Sequence, residues 1–149
     1  MNTSEFKLLL AQSEFTSKEV LELLAKDEYY FIRSAVAKNP KIPKEILKIL
    51  AKDEDYWVRA SVAANPNTQK EILEILAKDE DPSVRASIAE NSKTSKEILE
   101  ILAKDEKYWI RKLLALNPNT PKEILEILAK DKDENVRTFA AKTLQKRDS

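Results

Sequence analysis

Two apolar patterns alternate along the chain. Over residues 70–80 the sequence reads KEILEILAKDE, with Ile72, Leu73, Ile75, Leu76 and Ala77 apolar. Apolar residues at this spacing predict a helix with a wide buried face. Before it, VRASVAAN places Val58 next to Arg59, with Val62 and Ala63 three and four residues past the arginine, which predicts a second helix. Both patterns return as KEVLELLAKDE, KEILKILAKDE, KEILEILAKDE twice, and KEILEILAKDK. Arg33, Arg59, Arg85, Arg111 and Arg137 keep the register, each 26 residues after the last. A fixed period of this length marks a solenoid, in which each unit buries its apolar face only against its neighbours.

The residues between the runs set the predicted helix ends. Thr68-Gln69-Lys70-Glu71 reads as a capping box opening the first helix, copied at Thr16–Glu19, Thr94–Glu97 and Thr120–Glu123, the last with Pro121 at the first helical position. Ile42-Pro43-Lys44-Glu45 lacks the hydroxyl, which predicts a weaker start there. Asp55, Asp81 and Asp133 read as N-caps of the second helix, which stops before Pro66. Glu74 and Lys78 are spaced for an i,i+4 ion pair, as are Glu100 and Lys104, and Glu126 and Lys130.

Residues 4–12 align with a second helix, Lys7 standing at the arginine position. Residues 1–15 therefore read as a capping half repeat, with Phe6, Leu8, Leu9 and Leu10 sealing the first unit. Five repeats follow at 16–41, 42–67, 68–93, 94–119 and 120–149, and FAAKTLQKR extends the last into a capping helix. The expected architecture is a single all-α domain.

Composition narrows the function. Lysine plus arginine equals aspartate plus glutamate at 26 each, which argues against electrostatic binding to nucleic acid or an anionic membrane. Without cysteine there are no thiolate nucleophiles or cysteine-ligated metals, without histidine the commonest general base and metal ligand is missing, and without glycine no phosphate-cradling loop is built. No apolar run reaches the roughly 18 residues of a membrane span. The start, MNTSEFKLLLAQ, has no basic n-region and too short an apolar core for a signal peptide, so a cytoplasmic setting is expected. Neither catalysis nor a cofactor or metal is expected.

The frame xVRxxVAxNPxTPxxxLxxLAxD, present as VRASVAANPNTQKEILEILAKD at Val58–Asp79 and IRKLLALNPNTPKEILEILAKD at Ile110–Asp131, resembles the leucine-rich repeat variant family, a relative of HEAT-type repeats. The resemblance covers essentially the whole chain. It implies a right-handed, two-layer α-solenoid, with an outer layer of α-helices and an inner layer of short, partly 3₁₀ helices. The founding type carries an iron–sulfur cluster on a cysteine-bearing segment, a property that does not carry over to a chain without cysteine.

Recurring polar residues read first as structure. Asp27 with Arg33, Asp53 with Arg59, Asp79 with Arg85, Asp105 with Arg111 and Asp131 with Arg137 form a ladder, each arginine fork tying a carboxylate or loop carbonyls and locking unit to unit. Asn39, Asn65, Asn91 and Asn117 read as turn residues. Asp131-Lys132-Asp133-Glu134-Asn135 mimics the opening of a calcium loop, but Val136 stands where glycine is needed and Lys142 where glutamate is needed. Lys38, Lys41, Lys44, Lys48 and Lys52 make the second repeat basic, which reads as a solvated charge run, with an acidic partner or phosphate contact as the alternative.

Function is sought where the copies disagree. With each arginine as zero, the residues at −1, +3 and +4 are uniform and apolar, and −2, +1 and +5 point away from them. The varied positions hold Phe31, Ser34, Lys38; Trp57, Ala60, Ala64; Ser83, Ala86, Glu90; Trp109, Lys112, Leu116; and Asn135, Thr138, Lys142. Tyr30, Tyr56 and Tyr108 flank them at −3. Variation on a uniform frame suggests a recognition face made of Tyr30, Phe31, Tyr56, Trp57, Glu90, Tyr108, Trp109, Lys112 and Leu116, holding a protein or peptide. The alternative for the aromatics is packing between units. Self-association through this face, a consensus-derived stack with no natural ligand and a nucleic-acid binder are the other readings of the chain.

Overall fold

A computed structural model describes residues 2–148, in which all regular structure is α-helical. α1 (Thr3–Gln12) stands alone, as the half repeat requires. Pairs follow: α2 (Lys18–Leu24) with α3 (Tyr30–Lys38), α4 (Lys44–Leu50) with α5 (Tyr56–Ala64), and α6 (Lys70–Leu76) with α7 (Pro82–Glu90). The last two pairs are α8 (Lys96–Leu102) with α9 (Tyr108–Leu116), and α10 (Lys122–Leu128) with α11 (Glu134–Asp148). The molecule is a helical repeat solenoid.

The second helices make the stack. α1 packs on α3, α3 on α5, α5 on α7, α7 on α9 and α9 on α11, while each first helix lies against the second helix of its own unit. At nine residues, α3, α5, α7 and α9 are short but longer than the seven-residue first helices, and no 3₁₀ segment occurs among the described residues. Ile32, Val58, Val84, Ile110 and Val136, one residue before each arginine, are fully buried. Burial of such a side chain contributes roughly 1.5–3 kcal/mol, and the repeat supplies it in every unit.

Three local expectations change. The threonines are not N-caps: Thr68 donates its hydroxyl to the carbonyl of Val62 at the end of the preceding helix, 2.6 Å away, and Thr16, Thr94 and Thr120 bond Leu10, Ile88 and Leu114 in the same way. The cap falls one residue later, at Ser17, Pro43, Gln69, Ser95 and Pro121, so Pro121 precedes its helix rather than opening it. Ile42 replaces a hydroxyl that ties two helices together, and is simply buried. Second, α6 ends at Leu76, so Glu74 and Lys78 do not share a helical turn and form no ion pair; α8 and α10 end at the same register.

The third concerns the width of the first-helix face. Ile72, Leu73, Leu76 and Ala77 are buried within an arc of about 140°, but Ile75 lies about 60° outside it and is 66% exposed. Its equivalents Leu23, Ile49, Ile101 and Ile127 are exposed too, because consecutive first helices do not close over them. At the start of the chain, Leu8 and Leu10 pack on the core, whereas Phe6 and Leu9 remain exposed and do not seal it.

Candidate functional site

The turn entering each second helix is built by one aspartate and two arginines. Asp53 accepts from Arg33 through both oxygens, Nε to Oδ2 at 2.7 Å and Nη2 to Oδ1 at 2.8 Å, and from the backbone N–H of Asp55. The third nitrogen of Arg33, Nη1, donates to the carbonyls of Asp27 and Glu28 in its own turn. Each arginine therefore spans two turns, and Arg59 with Asp79, Arg85 with Asp105 and Arg111 with Asp131 repeat the figure. The carboxylate partner is the aspartate 20 residues ahead; the one six residues behind gives only its carbonyl. Lys7 meets Asp27 at 2.6 Å at the first rung, and Arg137 binds the carbonyls of Asp131 and Lys132 at the last.

Burial pushes the Asp53, Asp79 and Asp105 carboxyls upward, but the arginine hydrogen bonds, the backbone N–H and the nearby arginine charges outweigh it and hold all three below the usual carboxylate range. Asp131 is lowered first by its bond from Arg111. The paired arginines are raised in turn, first by their bonds to these carboxylates. Both aspartates of the calcium-like segment are engaged, Asp131 by Arg111 and Asp133 by the N–H groups of Asn135 and Val136 at the start of α11. Among the described residues, no group of three or more acidic, histidine or cysteine side chains could hold a metal ion.

A second ladder runs along the opposite end of the same helices. Asn65 accepts the N–H of Asn67, as a turn residue does, but its amide also donates to the carbonyl of Ala37, 28 residues back and 2.6 Å away. Asn39 and Asn91 bond Ala11 and Ala63 in the same way, and Thr143 takes the role in the last unit with Ala115. These bonds pin the C-terminal ends of α3, α5 and α7 to the preceding helix of the stack, and α11 to α9.

On this frame the varied positions separate into different environments. Most +1 residues do not face out: Ser34 and Ala60 are buried between stacked helices, and Ser34 hydroxyl meets that of Ser61 at 2.7 Å, whereas Thr138 on the last helix is exposed. Lys112 is half-buried, its ammonium 5.0 Å from the centre of the Phe139 ring. Glu90 and Leu116 are exposed, but they stand at the C-terminal end of the helices, about 12 Å along the axis from the aromatic residues. They belong to another edge.

What remains at the N-terminal edge is a compact aromatic row. Tyr30, Phe31 and Tyr108 are exposed, and Trp57 is 53% exposed, whereas Tyr56 and Trp109 lean half-buried onto the core. Tyr29, which the repeat frame does not single out, completes the row: its ring stacks on Phe31 at 5.4 Å, and Tyr30 meets Phe31 edge-on at 6.0 Å. Tyr56 and Trp57 pair at 5.2 Å. Each ring cluster stays within its own unit, and no ring of one pairs with a ring of the other among the described residues.

Carboxylates run beside the rings. Glu54 and Glu80 each expose 93% of their side chains and Glu106 exposes 74%, one per unit along the same edge. From the ladder arginines, which already hold an aspartate, only long contacts of 3.8–4.0 Å reach them, and Glu106 also meets Lys107 at 3.4 Å. Their signal in the sequence was the second acid of each Asp-Glu pair, hidden by its presence in nearly every copy.

Among the described residues no helix is long and apolar enough to cross a membrane. No curated protein and no solved structure matches the chain. A family model does match: residues 32–92 fit the Leucine Rich Repeat Variant domain, covering the helices from α3 to α7. The stacked helix pairs, with the same frame continuing on either side of the matched segment, fit that description of a helical repeat chain.

Proposed function

We propose that the chain is a non-catalytic cytoplasmic scaffold that holds a protein or peptide along the N-terminal edge of its second helices. One observation carries this reading: Trp57 and the trio Tyr29, Tyr30 and Phe31 are exposed in a slot that Asp81-Pro82-Ser83 fills without any aromatic residue. The fold does not need rings there. Rings beside the exposed carboxylates of Glu54 and Glu80 suit a partner segment carrying lysine or arginine, whose cations pair with carboxylate and lie over aromatic faces. Ladders at both helix ends keep the edge rigid, so little ordering entropy is lost on binding. The same carboxylates oppose a nucleic-acid phosphate backbone. A chain without histidine or cysteine, whose shifted carboxyls all move downward, supports the non-catalytic part of the reading.

The test uses Trp109→Phe protein, in which Trp57 is the sole tryptophan, titrated with an arginine-containing peptide and with its glutamate counterpart. A saturable change in Trp57 emission with the basic peptide alone, lost in Glu54→Lys/Glu80→Lys, supports the site. Equal responses to both peptides, or none, would remove it. Sedimentation of the free protein at rising concentration decides whether the edge pairs with a second copy instead.

A further inference from the structure

The first-helix face opens into a groove of 530 Å³ between α4 and α6. Its walls carry Lys44, Lys48 and Lys52, and Ile72 and Ile75 supply apolar surface. We propose that this groove docks an acidic amphipathic helix of a partner protein, independently of the aromatic edge.

The groove lies where an ionic rung found between the later first helices is missing, as it also is between Lys18 and Glu45. Lys70 of α6 reaches Glu97 of α8 at 3.5 Å, and Lys96 of α8 reaches Glu123 of α10 at 3.6 Å. The equivalent residues here are Lys44 and Glu71, both on the groove wall, and they form no ion pair. The helix itself also departs from the frame. Lys48 stands where the other units have Glu22, Glu74, Glu100 and Glu126. Glu22 and Glu74 pair with the lysine four residues earlier, at 3.7 and 3.9 Å. In α4 that position sets a second cation beside the first, an arrangement unfavourable on a helix surface.

Lys44 and Lys48 stand one turn apart on α4, about 6 Å along its axis, and Lys52 lies in the turn beyond Leu50 on the same groove wall. Glu45 and Glu71 also line the groove, but glutamate recurs at their position in every unit, as lysine does at those of Lys44 and Lys52, so Lys48 is what distinguishes this gap from the others. Ile49 and Ile75 stand exposed on the same face. The adjacent cations of Lys44 and Lys48 beside an apolar strip complement a helix with glutamates at i and i+4 and leucine-like residues on the adjoining stripe. The single carboxylate of a fatty acid would meet one lysine and leave two facing each other.

The probe is a synthetic helix of about five turns with that pattern, labelled with fluorescein and followed by anisotropy. A counterpart with lysine for glutamate is the control. Lys48→Glu restores the residue of the other four units, so its folding is not in question, and Ile75→Lys removes the apolar contact. The acidic helix is expected to bind with an affinity that falls as salt rises, to weaken at least about tenfold with either substitution, and to be indifferent to Trp57→Ala. Indifference to Lys48→Glu, or equal binding of the lysine peptide, would overturn the proposal. Dodecanoate binding abolished by Lys48→Glu with no binding of the peptide would assign the groove to a lipid and overturn it as well. A dimer abolished by Lys48→Glu would do the same in favour of a second copy. Loss of basic-peptide binding at the aromatic edge leaves the present proposal standing, because the two surfaces lie on different helices.

Discussion

Replacing Asp79 by asparagine should weaken one rung and, with it, the joint between two units. Asp79 accepts Nε of Arg59 at 2.8 Å, Nη2 of Arg59 at 2.9 Å and the N–H of Asp81 at 2.9 Å. The pair is largely covered, with 11% of the arginine side chain and 8% of the aspartate exposed. Removing one partner of a buried pair costs about 3–5 kcal/mol, because the other charge is left uncompensated. Arg59 keeps its bonds to the carbonyls of Asp53 and Glu54 and has Glu80 at 3.9 Å, at an edge that water reaches. A loss of about 2 kcal/mol is therefore expected.

In a solenoid the consequence is structural as well as energetic, since stability is close to a sum of unit and neighbour terms. Weakening the 42–67/68–93 joint should broaden urea unfolding and lower its m-value as the two sides begin to unfold separately. The assay is urea unfolding followed by circular dichroism, with Lys7→Ala at the half-exposed terminal rung as the comparison. A smaller loss is expected there. If Asp79→Asn changes stability by less than Lys7→Ala, or leaves midpoint and m-value unchanged, the ladder does not hold the units together.

Other expectations follow from the same contacts. Stability should be flat between about pH 5.5 and 8.5, since no histidine titrates there, and should fall in acid. The ladder aspartates have lowered folded pKa values, so their contribution is complete above the ordinary carboxylate value near 3.9 and is lost as pH drops through the folded values; thermal melts across pH would show an acid limb and no neutral one. Asn65→Ala removes the amide bond to the Ala37 carbonyl and should cost about 1–3 kcal/mol in urea unfolding, against less than half of that for exposed Asn67→Ala. Single-tryptophan proteins should differ: Trp57 emits at long wavelength and is quenched readily by acrylamide, while half-buried Trp109 emits bluer and is better protected.

The packed side of the second helices was legible because burial there depends on side chains of one helix. Val58, Val62 and Ala63 announce their face by period alone, and Asp55 and Asp81 act as the N-caps their positions suggest. Contacts between units were not legible in the same way. Arg33 has an aspartate six residues behind and another 20 ahead, and a perfect repeat makes the two equivalent on paper; stacking brings the later carboxylate to the fork. Thr68 looked like a cap because threonine and glutamate three apart satisfy the local rule, yet its hydroxyl serves the helix before it. Ile75 looked buried because it belongs to an apolar run, but no neighbouring helix reaches over it. Of the candidate face, the aromatic residues lie at the helix starts, Ser34 and Ala60 were claimed by the stack, and Glu90 and Leu116 stand at the other end of the helices.

The repeat frame breaks on both sides of one unit. Lys48 on α4 and Trp57 on α5 lie in residues 42–67, where the first-helix surface gains cations and the second-helix edge gains rings beside carboxylates. Between the two surfaces lies Asp53, held by Arg33 through both oxygens and next in sequence to Lys52. That position matters for how two partners would interact. If the rung is rigid, each surface binds as though the other were empty, and no coupling free energy passes between them. Loosening it by Asp53→Asn should release the turn that carries Lys52 on one side and Tyr56 on the other. Both affinities should then fall together, although neither surface loses a contacting side chain. A drop in only one would place the control of that surface within its own helix instead of in the shared turn.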